Sequence, residues 1–294
     1  MQSQRRFLVT FAQLPFCQHE CNVTLTLASL HIYPIKSLGG FALQEARATD
    51  RGFEHDRRWM LVDREGRFIT QREAPAMACL HCAPSVSGFA VTDTRDSDRI
   101  ELPWALADGE SRRAQVWSDE VDVLHATMAM SAWFAERLGI TCSLVFMPDA
   151  AHRPVDAKYA SGITSLSDGF PYLIISQASL DDLNRRGVAW AHAHMATWAH
   201  VPMNRFRPNL VIAGGEAYQE DGWRQVSIGG VKFDLVKTCG RCVITTTDQQ
   251  TGERGKEPLR TLASYRTVDS RVLFGMNAVC IAGDWARVGD LVTR

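Results

Sequence analysis

The sequence has no excess of charge of either sign and no long apolar run, and both absences narrow the possible functions. Lysine and arginine number 32 against 33 aspartate and glutamate, so the formal net charge is -1 and no global field draws the chain to nucleic acid or to an acidic membrane. The apolar stretch near the N-terminus is too short to cross a bilayer. We therefore expect no nucleic-acid partner and no membrane partner, and any anion-binding patch must be local.

The eight cysteines do not form the disulfide framework of a small secreted protein. A chain of 294 residues can bury a core without covalent staples, and no convincing export signal precedes the cysteines. Arg5-Arg6 faintly resembles a twin-arginine start, but polar residues and Pro15 interrupt the apolar run behind it. We expect a cytoplasmic protein with reduced thiols, in which residues 1–24 are a poorly ordered extension.

Short β-rich segments bounded by turn residues dominate the sequence after position 25, and few helical patterns accompany them. This composition predicts a mainly β architecture with some helix, an α+β class with a barrel-like sheet. The irregular segment 148–161 suggests a division into domains at 25–148 and 149–294. Beyond several short strands within 79–123, the predicted strands are 25–35, 58–62, 67–70, 141–147, 172–176, 210–213, 225–228, 231–236, 243–247, 278–281 and 291–293, and the predicted helices are 129–138, 179–186 and 258–265.

The segment Cys239-Gly240-Arg241-Cys242 concentrates reactive chemistry. A thiol next to a fixed positive charge ionises more easily, so Arg241 makes Cys242 a candidate ligand or nucleophile. The β-branched run that follows predicts a strand, which would place Cys242 where a loop enters a sheet, a rigid position for a reactive sulfur. The alternative is that the two cysteines are small buried apolar residues, which is common for cysteine.

Cations and glycine-freed backbone amides recur at the ends of predicted strands. Lys36 and Ser37 precede Gly39-Gly40, a combination that can bind an anion such as a phosphate, although the glycine spacing is not that of a Walker loop. Arg57 and Arg72 flank the next pair of predicted strands and would add bidentate anion-binding groups. The alternative is that these arginines pair with neighbouring carboxylates on a solvated face.

Three further groups contain metal-binding residue types, and none is preferred as a metal site. Cys79 and Cys82 form a second C-x-x-C, but most of the chain separates it from the first, unlike the pairs of a zinc ribbon. The His-x-His at 192–194 is more typical of a variable helical connection. Cys17 and Cys21 lie in the N-terminal tail, where order is uncommon.

Seven motifs in a fixed order carry a family resemblance that runs from about Leu25 to the end of the chain. They are Tyr33-Pro34-Ile35-Lys36-Ser37, Asp56-Arg57-Arg58-Trp59, Thr70-Gln71-Arg72-Glu73, Asp168-Gly169-Phe170-Pro171-Tyr172, Phe206-Arg207-Pro208-Asn209, Cys239-Gly240-Arg241-Cys242 with Thr245-Thr246, and Val288-Gly289-Asp290. In this order they resemble the MOSC family, the molybdenum cofactor sulfurase C-terminal type, in the subgroup of the amidoxime-reducing component and its bacterial relatives. The resemblance implies a MOSC β-barrel domain at 149–294, preceded by a β-rich MOSC N-terminal domain at 25–148.

The resemblance implies a molybdenum ion held by the dithiolene of a pterin cofactor, molybdopterin, and by one protein thiolate. In the subgroup that ligand is the second cysteine of C-x-R-C, here Cys242, and a soft thiolate suits molybdenum. Asp168 is implied near the metal and is a candidate proton donor. Gly240 stands where a serine is expected, which leaves its cofactor contact to the backbone. The implied cofactor-contacting residues are Lys36, Ser37, Arg57, Arg72, Arg207, Asn209, Gly240 and Arg241.

The implied reaction is the reduction of N-hydroxylated small molecules, such as amidoximes, hydroxylamines and N-hydroxylated nucleobases, to amines and water, which serves detoxification. Pyridoxal phosphate binding is a further association of the family. The cysteines do not match the plant-type ferredoxin spacing, so we expect a separate electron donor, a ferredoxin, flavodoxin or cytochrome b5-like protein with its reductase. Two alternatives stay open: a sulfur-transfer protein carrying a persulfide on Cys242, and a non-catalytic β-barrel that binds another anion.

Overall fold

The computed structural model describes residues 24–294, and 39% strand against 18% helix confirms the predicted mainly β, α+β class. The predicted extension, including Cys17 and Cys21, lies outside the described residues except for Thr24. The strands are β1 Thr26–Ile32, β2 Phe41–Leu43, β3 Glu45–Thr49, β4 Gly52–Phe53, β5 Trp59–Val62, β6 Leu80–Pro84, β7 Gly88–Asp93, β8 Arg99–Pro103, β9 Ser111–Val116, β10 Asp119–His125, β11 Ser143–Phe146, β12 Tyr172–Ser176, β13 Leu210–Ala213, β14 Gln225–Ile228, β15 Val231–Gly240, β16 Thr267–Val268, β17 Arg271–Ala282, β18 Trp285–Arg287 and β19 Val292–Thr293. The helices are α1 Met128–Leu138, α2 Gln177–Ala193 and α3 Leu259–Ala263.

The largest sheet has the strand order β19-β14-β15-β17-β12-β13-β1-β2, with β16 added to β17. β1 also contacts the segment that leads into β19, because Thr26 forms a bridge with Leu291 and the amide of Leu27 donates to the carbonyl of Asp290 at 2.9 Å. The strands from β1 round to β19 therefore close into a barrel, which leaves few unpaired strand edges. The barrel interior is filled by a continuous buried cluster that includes Leu30, Ile174, Leu210, Ile212 and Phe233.

The two halves of the chain share this barrel. β1, from the first predicted domain, pairs antiparallel with β13, and β3 pairs with β18. β12 and β13 are parallel, with α2 in the crossover connection that parallel neighbours require. The rest of the first half forms the sheets β5-β11-β10-β9 and β6-β7-β8 around a second core that contains Trp59, Phe89 and Phe134. The predicted domain boundary at 148/149 stays a prediction.

Two predicted helices illustrate what local sequence signals determine. α1 ends at Gly139, as the sequence predicts, and this glycine has the left-handed conformation. The helix begins after Thr127, whose hydroxyl accepts from the Met130 amide. α2 begins after Ser176 rather than at Ser179, because the Ser176 hydroxyl accepts from the Ala178 amide, whereas the Ser179 hydroxyl donates to the buried Glu220. No helix among residues 24–294 is long and apolar enough to cross a membrane.

The predicted strand at 243–247 is wrong: Val243–Thr246 is a short 3-10 helix. The hydroxyls of Thr245 and Thr246 donate to the carbonyls of Cys242 and Val243, and such local bonds compete with a sheet ladder. Cys242 consequently lies just beyond the end of β15, not at a loop entering a sheet. The predicted strand at 67–70 is also reduced, to isolated bridges at Arg67 and Phe68.

Gly275 gives a test of how closely β12 and β17 pack. It has a φ of 80°, and a Cβ there would lie 2.6 Å from Ile175 Cγ1 and 3.0 Å from the Ile174 carbonyl oxygen. We expect Gly275→Ala to lower the free energy of unfolding by roughly 2 kcal/mol or more, measured by chemical denaturation. The control is Gly230→Ala, where a Cβ would meet nothing within 4 Å. An equal loss in both variants would contradict this account.

Candidate functional site

One cavity of about 840 Å³ is lined by every residue that the sequence predicts to be catalytic or cofactor-binding. Its wall is built from the ends of β12, β15 and β17 and from the loops that precede β5, β12 and β13. The roles of these residues stay predictions, whereas their proximity is a property of the fold. The nominated residues in the lining are Lys36, Ser37, Arg57, Arg72, Asp168, Arg207, Asn209, Gly240, Arg241 and Cys242.

The cavity is strongly cationic although the whole chain is not. Among the described residues that line it, seven carry a positive side chain and one, Asp168, carries a carboxylate, against a formal net charge of -1 for the whole sequence. A concave wall with one sign of charge focuses its field into the cavity and raises the local concentration of anions. The seven cations are Lys36, Arg57, Arg72, Arg207, Lys237, Arg241 and Arg271.

Sequence reasoning missed several residues of this lining. Lys237 lies two residues before Cys239, and this position beside the C-x-R-C motif could have indicated that it lines the cavity. Arg271 opens β17 and Trp117 lies between β9 and β10, and neither belongs to a motif that points to the cavity. The tertiary pairing of these elements alone brings them to the site.

Cys242 is contacted by a different arginine from the one that the sequence suggests. Arg72 Nη2 donates to Cys242 Sγ at 3.4 Å and to Asp168 Oδ2 at 3.1 Å. Arg241 instead donates to Cys239 Sγ at 3.1 Å and, through Nη2, to the carbonyl of Phe206 at 2.6 Å. Alternate residues of an extended chain share a face, so residues 239 and 241 point together and residue 242 points away. The expectation that Arg241 acts on the Cys242 sulfur is therefore wrong.

A buried carboxylate, Asp56, organises the cations at one side of the cavity. It accepts from the Tyr33 amide at 2.7 Å, from Arg57 Nη1 at 2.5 Å and from Asn209 Nδ2 at 3.0 Å. The Arg57 and Arg207 guanidinium carbons lie 4.4 and 4.3 Å from the centre of the Tyr33 ring. Arg57 thus does pair with Asp56, but in the interior and not on a solvated face. Burial lowers the pKa of Arg207 to about 10, which leaves it cationic at neutral pH.

Five non-glycine residues of the lining have left-handed backbone conformations: Ser37 with φ 68°, Arg57 with φ 48°, Trp117 with φ 58°, Arg207 with φ 56° and Ser270 with φ 62°. Such conformations are uncommon and cost free energy, so they persist only where other contacts hold them. Here the Arg57 amide donates to the Tyr33 carbonyl at 2.8 Å, and Gln71 Nε2 donates to the Ser37 carbonyl at 2.7 Å. The backbone around the cavity is therefore fixed in advance of any ligand.

Lys36 and Asp168 form an ion pair in the cavity wall. Lys36 Nζ donates to Asp168 Oδ1 at 2.6 Å and to the Leu166 carbonyl at 2.8 Å. Burial lowers the pKa of Lys36 to about 8, and the attraction of Asp168 opposes this. Burial would raise the pKa of Asp168, but the charges and hydrogen bonds of Lys36 and Arg72 hold it well below its usual range. Buried Arg153 fixes the loop by donating to the Asp168 carbonyl at 2.9 Å.

The donor set suits an anionic ligand that brings its own metal ligands. Arg72 Nη1 and Arg241 Nε are buried without a hydrogen-bond partner, so two lining cations hold unused donors. Residues 24–294 contain no group of three or more His, Cys, Asp or Glu side chains placed to hold a metal. A metal in this cavity would therefore depend on few protein donors, of which the Cys242 thiolate is the soft one. The Cys79–Cys82 pair is poorly suited to bind a metal, because burial raises the pKa of Cys82 to about 12 and a thiol must lose its proton to become a metal ligand.

The ion pair gives a pH-dependent prediction. Lys36 should titrate near pH 8 in the ligand-free protein. In Asp168→Asn the carboxylate that favours the ammonium is gone, so the pKa of Lys36 should fall further below its usual value, as followed by NMR of carbon-13-labelled lysine side chains. The control is Asp149→Asn, whose carboxylate pairs with Arg58 and should leave the titration unchanged. A rise of the Lys36 pKa in Asp168→Asn would contradict the role of this pair.

Comparison with known proteins gives two domain matches and a set of relatives at about 30% identity. Residues 24–141 match the MOSC N-terminal beta barrel domain and residues 162–293 match the MOSC domain. The mitochondrial amidoxime-reducing component 1 of Mus musculus is 33% identical over 268 residues, which cover 85% of this chain and 74% of that protein. The mitochondrial amidoxime reducing component 2 of Rattus norvegicus is 31% identical over 292 residues, which cover 92% and 83%.

A second group of relatives is much longer than this chain. The molybdenum cofactor sulfurase of Oryza sativa subsp. japonica is 31% identical over 291 residues, which cover 90% of this chain and 35% of that protein. The sulfurases of Solanum lycopersicum and Arabidopsis thaliana are matched over 35% and 32% of their lengths. The chain thus spans about a third of the length of the plant sulfurases that it matches.

Proposed function

The chain belongs to the MOSC family, as the sequence motifs predict, and from this membership we propose that it is a molybdenum-cofactor-dependent reductase of N-hydroxylated compounds. The observation that carries the proposal is the Cys242 thiol in the wall of a cavity lined by seven cations and one carboxylate. The relatives support the class of reaction, because the chain covers 74% and 83% of two amidoxime-reducing components but about a third of the sulfurases.

Cys242 Sγ is the proposed protein ligand of the molybdenum. Around it, the guanidinium groups of Arg57, Arg207 and Arg241 would hold the anionic pterin phosphate, and the unpartnered Arg241 Nε supplies a free donor. Asn209 and the backbone at Ser37 would add neutral hydrogen bonds. When bound, such a cofactor supplies two-electron redox chemistry at the metal. Serine at position 240 would also fit, since a Cβ there would lie 3.7 Å from Arg271 Cδ, an ordinary contact.

The reduction of an N-hydroxyl group takes two electrons and two protons, breaks the N–O bond and releases the amine and water. The electrons come from a separate ferredoxin, flavodoxin or cytochrome b5-like protein with its reductase, and the protons pass through the wall of the cavity. Asp168 is a poor proton store at neutral pH, because Lys36 and Arg72 keep its carboxylate ionised. We assign the transferable proton to Lys36 Nζ and the positioning of Lys36 and Arg72 to Asp168.

The test is the molybdenum content of protein made in cells that synthesise molybdopterin, measured by elemental analysis. We expect near-stoichiometric molybdenum in the wild type and almost none in Cys242→Ser, because a serine hydroxyl is a much weaker donor to a soft metal than a thiolate. Reduction of hydroxylamine substrates should disappear with the metal. The matched control is Cys239→Ser, which removes the neighbouring thiol that Arg241 contacts and should keep the metal.

The outcome that would contradict the proposal is a metal-free wild-type protein while a control molybdoenzyme loads normally in the same cells. Sulfane sulfur on Cys242 under those conditions would support the second candidate, a persulfide carrier in sulfur transfer. The similarity to the sulfurases favours that candidate, and Arg72 would stabilise a persulfide anion on Cys242 as it would a thiolate. Loss of metal in both cysteine variants would remove the specific assignment to Cys242.

A further inference from the structure

Trp117 occupies a backbone position that does not suit it. Val116 pairs with Asp119 across the β9–β10 hairpin, so Trp117 and Ser118 form a two-residue turn. Trp117 has a φ of 58°, and the first position of such turns favours glycine, asparagine or aspartate when φ is positive. The left-handed backbone conformation is unfavourable for a bulky aromatic residue, so other contacts must stabilise it. Residues in such conformations concentrate at functional sites.

The Trp117 side chain lies in the cavity wall close to the thiol. The guanidinium carbon of Arg72 lies 4.7 Å from the centroid of the Trp117 ring. The ring centroids of Phe68 and Trp117 are 5.1 Å apart, and the two ring planes form an angle of 60°. Arg72 in turn contacts Cys242 Sγ at 3.4 Å, so a single side chain separates the indole from the proposed metal ligand. Despite these neighbours, 46% of Trp117 is exposed.

The hairpin tip is fixed rather than loose. The Gln115 amide donates to the Gly66 carbonyl at 2.8 Å, and the Phe68 amide donates to the Gln115 carbonyl at 3.0 Å. Gln115 Nε2 donates to the Trp117 carbonyl at 2.8 Å. These bonds tie the tip to the segment that leads to Arg72, so the indole is a preorganised surface.

Trp117 is also the aromatic side chain of the cavity that remains open to a ligand. Among the described lining residues three are aromatic, and of these Phe170 and Phe206 are buried. Most of the remaining side chains of the lining are cationic or polar, and none of them is an exposed aromatic ring. The exposed indole therefore supplies a contact that the rest of the wall lacks.

We propose that Trp117 is a specificity-determining residue that stacks on planar aromatic substrates and so favours aromatic amidoximes and N-hydroxylated nucleobases over aliphatic N-hydroxylated compounds. The inference rests on the proposed function and adds the substrate class. Stacking of a planar π-system on an aromatic side chain typically changes the dissociation constant by about 10-fold. The Arg72 guanidinium polarises the Trp117 ring, which suits such a contact. The N-hydroxyl group of the stacked substrate would then lie on the same side of the cavity as Arg72 and Cys242.

The experiment compares benzamidoxime with acetamidoxime on the molybdenum-loaded protein. Dissociation constants are measured by calorimetry without an electron donor, and kcat/KM is measured with one. In Trp117→Gly we expect benzamidoxime to bind about 10-fold more weakly while acetamidoxime changes less than about 2-fold. Glycine suits the positive φ, so the variant should fold at least as well as the wild type. Trp117→Phe should keep most of the preference.

The control variant is Trp285→Ala, which removes a tryptophan that is 43% exposed on β18 and lies outside the cavity lining. It should change neither dissociation constant. Equal weakening of both compounds in Trp117→Gly, an unchanged ratio, or a loss of molybdenum from that variant would overturn the inference. Loaded wild-type protein that reduces neither compound would instead overturn the proposed function, and the ratio of the two dissociation constants would still decide whether Trp117 selects planar ligands.

Discussion

The buried carboxylate of Asp56 is the contact on which the arrangement of the cavity depends. It binds the backbone after β1, the guanidinium of Arg57 and the amide of Asn209, so one group joins the first strand to the segment that enters β13. A buried anion needs several donors to offset its desolvation, and here those donors are themselves parts of the site. The same bonds that satisfy Asp56 therefore fix two cations around Tyr33 and hold the wall of the cavity in one geometry.

The electrostatics of the cavity oppose folding and favour binding. Seven cations around one carboxylate repel one another, and protein bonds leave donors on Arg72 and Arg241 unused. The fold accommodates this charge by packing guanidinium groups against carbonyls and aromatic rings. Arg207, for example, donates to the Leu38 carbonyl and lies over the Tyr33 ring. An anionic ligand would relieve the repulsion, so the same charge pattern that opposes folding would favour the binding of an anion.

Strands flanked by proline or glycine were predictable from sequence: β12, β13 and β14 have the predicted limits, and β15 begins where predicted because Gly229-Gly230 sets the turn. The family resemblance implied that the cofactor-contacting residues share one site, and all of them line the cavity, although the roles of these residues stay predictions. The identity of the arginine that contacts Cys242 was not predictable, because Arg241 and Cys242 point to opposite sides of the chain just beyond β15 and the fold brings Arg72 to the Cys242 side. The threonine-rich 3-10 helix after Cys242 was not predicted, because β propensity takes no account of hydrogen bonds between threonine side chains and the local backbone.

The closure of the barrel through Thr26 and Leu291 has a consequence for biosynthesis. Contacts between residues this far apart form late, because a long loop must close before they contribute stability. During translation, the first strand must wait for the last one to leave the ribosome before the ring can close. Lys36 and Cys242 likewise meet only when both halves are present. A cofactor that needs both would enter only after both halves have left the ribosome, so its binding follows the synthesis of the MOSC domain.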